Sequence, residues 1–488
     1  MSLRFSGGIT GPGRRSVVAF VTGLIALAAG CAINPVTGAR QLTLISEQQE
    51  IQMGREYAAE VQQTMRLVDD PELQAYVSRL GRQLAAASER PNLPWSFSVV
   101  DDPTPNAFAL PGGFVFVTRG LMALMGTEAQ LVTVLGHEIG HVTARHHVSQ
   151  MTRSQLAQLG LGIGSVLMPN MESLTSLAGA GVQLALLSNS RDAERQADEL
   201  GFRYALENGF DVREMALVFE SLQRVSQSAG GSAVPAWLMT HPDPGDRIVT
   251  VERRVAATRL PPSPRIGAQA YLDQIDGLVY GVNPRDGFME NGVFLHPDLK
   301  FRVPFPSGWQ VQNLSEAVIA ANSQQNAVLQ VTIAAEKTID AASQSFLGQT
   351  GIQSGTVERS TVNGLSTVQA TFTAQSESSG TLQGQVAFIS HGGAVYQVLG
   401  YATQAAYAGN QAALRSTVRG FAPLTDSRAL NVQPAVLRIV RTTAATTLEQ
   451  FQQRNPSTIS LGELAILNQL ASGSAVVPAG TMLKRVTN

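Results

Sequence analysis

Residues 137 to 141 read His-Glu-Ile-Gly-His, two imidazoles four positions apart with a carboxylate beside the first. Positions i and i+4 share one face of a helix, so His137 and His141 can reach a single metal ion at roughly 2.0 to 2.1 Å. Glu138 falls about 100° further round the helix. There it stands beside such an ion and can take a proton from metal-bound water. With 7 histidines and 22 glutamates in 488 residues, chance produces this pattern about 0.005 times. A catalytic zinc needs a third protein ligand and an open position. The run from Ser190 to Asp198 offers Glu194 and Asp198, again four apart. One carboxylate can bind the ion while the other accepts the outer N–H of a ligand imidazole.

The elements that must hold these groups are legible nearby. Thr127 and Gln130 have the spacing of a capping box, and Leu131, Val132, Val134 and Leu135 supply an apolar face, which predicts a helix from Glu128 to His147. On that helix His146 and His147 lie about 180° and 280° from His137 and read as polar helix-end residues. Ser46 to Gln49 is a capping-box pattern opening a helix through about Met65. Asp70 and Pro71 start another, with Leu73, Val77, Leu80 and Leu84 at helical spacing. Trp95–Val100 and Phe114–Val117 read as short strands joined by Pro- and Gly-rich turns. Gly209 stops one helix, and Asp211 with Glu214 opens the next. The apolar, glycine-rich stretch from Gln155 to Leu187 is cut at Pro169 and Asn170. Each piece falls short of the roughly 20 residues of unbroken apolar helix that cross a bilayer, so buried helices with a mobile connection are expected.

Four motifs in order, His137–His141, Glu194–Asp198, the segment Asn106–Gly113, and Thr240-His241-Pro242 with Arg247 and Ile248, resemble peptidase family M48. The resemblance covers residues 33–260, about half the chain. It implies a mostly helical gluzincin-type zinc protease domain with one Zn2+ per chain, His137, His141 and Glu194 as ligands and Glu138 as general base. Asp198 would orient a ligand histidine. Asn106, Ala107, Phe108 and Ala109 would form the edge strand that pairs with substrate backbone, a mode that reads main chain more than side chains. His241 would either donate to the tetrahedral oxyanion or occupy the open zinc position and hold the enzyme latent. Arg247 would stabilise the oxyanion or anchor the loop on a carboxylate.

Composition bounds the alternatives. There are 35 basic and 37 acidic side chains, a net charge of -2, which excludes a bulk nucleic-acid binder. The single cysteine, Cys31, excludes an intrachain disulfide. Arg14 and Arg15 precede an apolar run from Val17 to Ala29, a secretory signal over residues 1–30. Leu27-Ala28-Ala29-Gly30 before Cys31 resembles a lipobox, implying an acylated Cys31 and a periplasmic protein anchored by lipid at the inner leaflet of the outer membrane.

The expected class is α+β. A zinc protease domain over 32–263 is followed by a linker at 264–296, an antiparallel β-rich domain at 297–423, and a small βααβ module at 430–488 that resembles LysM. The β-rich expectation rests on alternations such as Val368, Ala370, Phe372 and Val386, Phe388. His296 and His391 read as structural. The function implied is cleavage of periplasmic or outer-membrane proteins, unfolded or misassembled ones in particular. The alternative is a latent zinc-binding, chaperone-like lipoprotein whose carboxy-terminal module holds peptidoglycan or a protein partner.

Overall fold

Ser46 accepts a hydrogen bond from the Gln49 backbone N–H, and the Gln49 side-chain oxygen accepts one from the Ser46 backbone N–H. This reciprocal cap starts helix α1 (Glu47–Met65). Two short strands, β1 (Cys31–Ile33) and β2 (Arg40–Leu42), pair antiparallel ahead of it. The computed structural model describes residues 31–158, 189–228, 236–241, 244–376 and 380–488. The expected signal peptide at 1–30 and most of the glycine-rich stretch lie outside the described residues. Among those described, no helix is long and apolar enough to cross a membrane.

Helix α2 (Pro71–Ala86), capped by Asp70, buries Leu73, Val77, Leu80 and Leu84. Strands β3 (Ser96–Val100), β4 (Ala107–Leu110) and β5 (Phe114–Thr118) make a three-stranded sheet. Central β5 runs parallel to β3 and antiparallel to β4, leaving β4 at an edge. Helix α3 (Arg119–Leu124) leads into α4 (Glu128–Thr143), the helix that carries the His-Glu-Ile-Gly-His motif. Every residue of α4 is buried, which is why its apolar pattern is not confined to one stripe.

Two expectations at α4 are corrected. Thr127 caps the helix by accepting from Gln130 N–H, but Gln130 does not complete the box: its Oε1 accepts from Gly126 N–H. The helix also ends at Thr143 rather than His147. Arg145 adopts a left-handed φ of 58°, and a separate helix, α5 (His146–Gln158), starts immediately after it. That conformation is costly for a residue with a side chain. Here Glu50 of α1 accepts from Arg145 Nε at 2.9 Å, and Ile45 O accepts from Nη2 at 2.9 Å.

Helix α6 (Arg191–Glu207) crosses α4 where neither has a side chain in the way. A Cβ placed on Gly201 would lie 2.7 Å from His137 N, and one on Gly140 would lie 3.2 Å from Ala197 Cα. Helices α7 (Glu214–Ser228), α8 (Ala236–Thr240) and α9 (Pro244–Ala257) complete the wall around the motif. The segment 264–296, expected as a linker, is ordered. It carries α10 (Ala268–Ile275), whose Tyr271, Leu272 and Ile275 are buried in the same core as α4, and strands β6 (Phe288–Glu290) and β7 (Val293–His296).

Strands β8 (Phe301–Pro304), β9 (Gln310–Asn313), β10 (Ala317–Ala321) and β11 (Ala327–Ile333) precede α11 (Ile339–Leu347). Then come β12 (Ile352–Val362), β13 (Leu365–Ser376), β14 (Gly380–His391), β15 (Ala394–Thr403), α12 (Gln404–Gly420) and β16 (Ala422–Pro423). The seven-stranded sheet is antiparallel throughout, in the order β12-β13-β14-β15-β11-β10-β9, and β16-β8-β7-β6 form a second sheet. Along β14, Val386 and Phe388 join the core under α11, while Ala387 and Ile389 join the one under α12. Period-two alternation thus buries both faces.

After α13 (Ser427–Leu430), the chain ends as β17 (Val436–Arg441), β18 (Thr446–Thr447), α14 (Leu448–Arg454), α15 (Leu461–Leu467), β19 (Val476–Val477) and β20 (Met482–Thr487). β17 pairs antiparallel with β20, giving the expected strand, helix, helix, strand order. Its core is not separate: Leu437, Phe451, Leu464 and Leu483 are continuous with the core around α4.

Candidate metal centre

On α4, His137 and His141 project their Nε2 atoms to within 3.0 Å of each other. Glu194 comes from the first turn of α6, where Ser190 caps the helix, and its oxygens lie 3.5 Å from His137 Nε2 and 3.3 Å from His141 Nε2. His241, just past α8, puts its Nδ1 3.2 Å from His137 Nε2 and 3.0 Å from both Glu194 oxygens. These four buried residues offer ligand atoms that all lie within 4.8 Å of one another. Two imidazoles, a carboxylate and a third imidazole around one point match the borderline donor set and tetrahedral number of zinc.

Each group is held from behind. His137 Nδ1–H donates to Asp198 Oδ1 at 2.9 Å, which leaves Nε2 unprotonated and facing the centre. Arg247, from α9, donates to the same carboxylate from Nε at 2.8 Å and Nη2 at 2.6 Å, and its Nη1 lies 3.3 Å from Glu194 Oε2. Its guanidinium lies against two aromatic rings that stack on each other, 4.2 Å from the Phe219 centroid and 4.5 Å from that of Trp237. Trp237 also stacks on His241, with centroids 4.8 Å apart. Arg247 therefore sits behind the ligands as an anchor for Asp198.

The electrostatics follow from burial and these pairs. Burial keeps the His137 imidazole neutral, its pKa lowered to about 3. Burial also pushes the Glu138 carboxyl up to about 7, with Glu194 adding to the rise. Against the opposing pull of burial, the neighbouring His241 and His141 imidazoles hold Glu194 well below the ordinary carboxylate range. For Asp198, Arg247 and His137 likewise outweigh burial. Glu138 stands beside His241 without bonding to it: its Oε1 is buried with no hydrogen-bond partner, 3.6 Å from His241 Nε2. A buried, partnerless carboxylate oxygen beside a ligand cluster is available to a water or a substrate proton.

The structure places Asn106 at 5% exposure just ahead of edge strand β4, with Ala107, Phe108 and Ala109 in it and no more than 3% exposed. Phe108 packs with Ala58 and Val61 of α1 and with Met151 of α5. The strand has a free hydrogen-bonding edge by sheet order, yet its residues are covered. Cys31 opens β1, 106 positions before the motif in sequence, and plays no part in the centre.

His146 is the residue that sequence reasoning missed. Its expected place, half a turn away, assumed an unbroken helix. The left-handed turn at Arg145 brings it back instead, with Nδ1 2.9 Å from His141 Nδ1 and Nε2 2.9 Å from Gln196 Oε1. His147 is buried with its ring centroid 5.9 Å from that of His141. His296 and His391 lie in the β-rich half: His296 Nδ1 accepts from Leu299 N–H, and His391 Nε2 contacts Lys300 O.

Residues 71–255 match the family described as Peptidase family M48. This segment is similar to M48 peptidase domains. The beta-barrel assembly-enhancing protease of Yersinia pestis is 32% identical over 247 residues, covering 49% of this chain and 50% of its own. The protein of the same name from Escherichia coli (strain K12) is 30% identical over 234 residues, 46% and 47% of the two chains. The mitochondrial metalloendopeptidase OMA1 of Arabidopsis thaliana is 32% identical over 177 residues, 36% and 35%. The chain spans about half the length of the first two relatives and about a third of the last.

Proposed function

We propose that the chain is a zinc-dependent endopeptidase. The observation that carries this is the convergence of His137, His141 and Glu194 at one buried point, with Glu138 beside it, whose buried Oε1 has no hydrogen-bond partner. A zinc ion held there would supply a Lewis acid that polarises the scissile carbonyl and acidifies water. Glu138 takes the proton of the attacking water and returns it to the leaving amine. Asp198 keeps His137 in the tautomer whose Nε2 faces the centre, and Arg247 fixes Asp198. Substrate backbone pairs with the free edge of Asn106–Ala109 once the cover over it moves. Glu138→Gln removes the base while keeping the shape, so casein cleavage should fall by about 10²- to 10⁴-fold. Equal cleavage by wild type and variant would sink the peptidase reading.

A latent resting state is favoured by the place of His241. Its Nδ1 lies among the ligand atoms, in the fourth position that an active zinc peptidase keeps open. His241→Ala should raise casein cleavage by opening that position. A loss of cleavage would assign His241 to the oxyanion instead. Held closed, the same site would serve the chaperone-like alternative. The relatives' name points to outer-membrane β-barrel assembly as the setting and to misassembled envelope proteins as substrates. A lipid anchor at Cys31 and an outer-membrane address are the matching proposals for the amino terminus, and a glycan or protein partner is the one for residues 430–488.

A further inference from the structure

His137 has a carboxylate behind it and His141 does not. Its outer nitrogen meets another imidazole, His146, which in turn meets the amide of Gln196. The direction of this chain is set by what His141 must do. To bind a metal through Nε2, His141 must carry its proton on Nδ1. His141 Nδ1–H is then a donor, and His146 Nδ1, 2.9 Å away, must accept with a lone pair. A neutral His146 with a bare Nδ1 carries its proton on Nε2, which donates to Gln196 Oε1 at 2.9 Å. Reversing the Gln196 amide would turn every bond round and put the proton on His141 Nε2, where it blocks the metal.

We propose that His146 and Gln196 form a neutral hydrogen-bond relay that fixes the tautomer and ring orientation of the zinc ligand His141. The proposal rests on the zinc-peptidase reading. Gln196 lies on α6 between Glu194 and Asp198, so one helix supplies a ligand, the outer contact of His137 and the far end of the chain that leads through His146 to His141. The relay exists only because of the turn at Arg145. In a continuous helix, residues five apart are separated by about 140° and cannot meet. Glu50, buried and bonded to both Arg145 and Arg90, holds that turn from α1. His146 is thus a positioning residue: it acts through His141.

The test is the zinc affinity of the full chain, measured by competition with a chromophoric chelator, with the visible spectrum of the cobalt-substituted protein as second readout. Wild type should bind one zinc. His146→Leu, which cannot accept, should bind zinc about 10- to 100-fold more weakly. His146→Asn, whose Oδ1 can accept from His141, should recover most of the loss. Gln196→Glu should keep the affinity, and Gln196→Lys, a donor in place of an acceptor, should lose it. Wild-type affinity in His146→Leu, or equal affinity in the two Gln196 variants, overturns the relay while wild-type zinc binding leaves the peptidase reading intact. Should His146→Leu fail to fold, the Gln196 pair decides alone. A wild type that binds no zinc overturns both readings.

Discussion

Two buried cations lie towards opposite ends of helix α4, and they are satisfied in opposite ways. Arg247, near the candidate metal centre, is bidentate to Asp198, close to Glu194, and set against two aromatic rings. These partners overcome burial and raise its already high pKa. Lys484, in strand β20, reaches across to the residues just before the helix and meets only backbone carbonyls: Ala123 O at 2.8 Å, Leu124 O at 3.2 Å and Met125 O at 2.9 Å. Burial lowers its pKa to about 7. The first cation is locked into an ionic network, where removing one partner strands another charge. The second satisfies the end of a short helix, where cations and carbonyls attract weakly and no charge is left behind.

Arg247→Met should therefore have the largest effect. It leaves Asp198 buried with only His137 for company, which should cost about 3 to 5 kcal/mol of stability and weaken zinc binding as well. Denaturant unfolding and zinc competition check both. A loss under about 1 kcal/mol would mean that Asp198 relaxes into solvent or takes a proton, and the contrast with Lys484 would collapse.

Packing tests the same end of the helix. Gly201→Ala adds a Cβ 2.7 Å from His137 N, a backbone atom that cannot rotate away. The helices must separate, which should cost about 1 to 3 kcal/mol and draw Glu194 and Asp198 away from the histidines. Weaker zinc binding should accompany the lower unfolding midpoint. A variant with wild-type zinc affinity would show that the two helices can slide without opening the site.

What the sequence made legible divides along the same line. His137, Glu138 and His141 were readable because their chemistry depends on spacing within one helix. Glu194 and Asp198 needed that motif as context, since acids four apart are common on wet faces. Gly140 and Gly201 carry no local signal: their meaning appears only where two helices touch. The end of the helix was misread because the left-handed residue is Arg145, not glycine. Its conformation is held by Glu50, 95 positions earlier. With the helix end went the role of His146. The β-rich half was legible from alternation, because both faces of its sheet are covered. The ordered segment 264–296 was not, because Tyr271 and Ile275 owe their burial to tertiary packing against distant elements.

Lys484 gives the smallest effect and a distinctive sign. Lys484→Met keeps the length of the side chain and removes the desolvation of an ammonium, while Leu124 O retains the Gln469 Nε2 donor at 3.1 Å. Loss of the other two hydrogen bonds and relief of the buried charge should nearly cancel, leaving about 1 kcal/mol either way. The pH dependence is more telling. The unfolded lysine titrates near about 10.4 and the folded one near about 7. Between those values the unfolded chain holds a proton that the folded chain lacks, so this group makes stability rise with pH across that window. Below about 7 both states are protonated and its slope vanishes. The stability difference between wild type and Lys484→Met should therefore tilt toward wild type as pH rises from about 7 to about 9.5. Unfolding midpoints for the two proteins at matched pH values measure it directly. A difference that stays flat across that range would mean that the three carbonyls hold Lys484 as an ammonium, making this end of the helix as firmly charged as the Arg247 end.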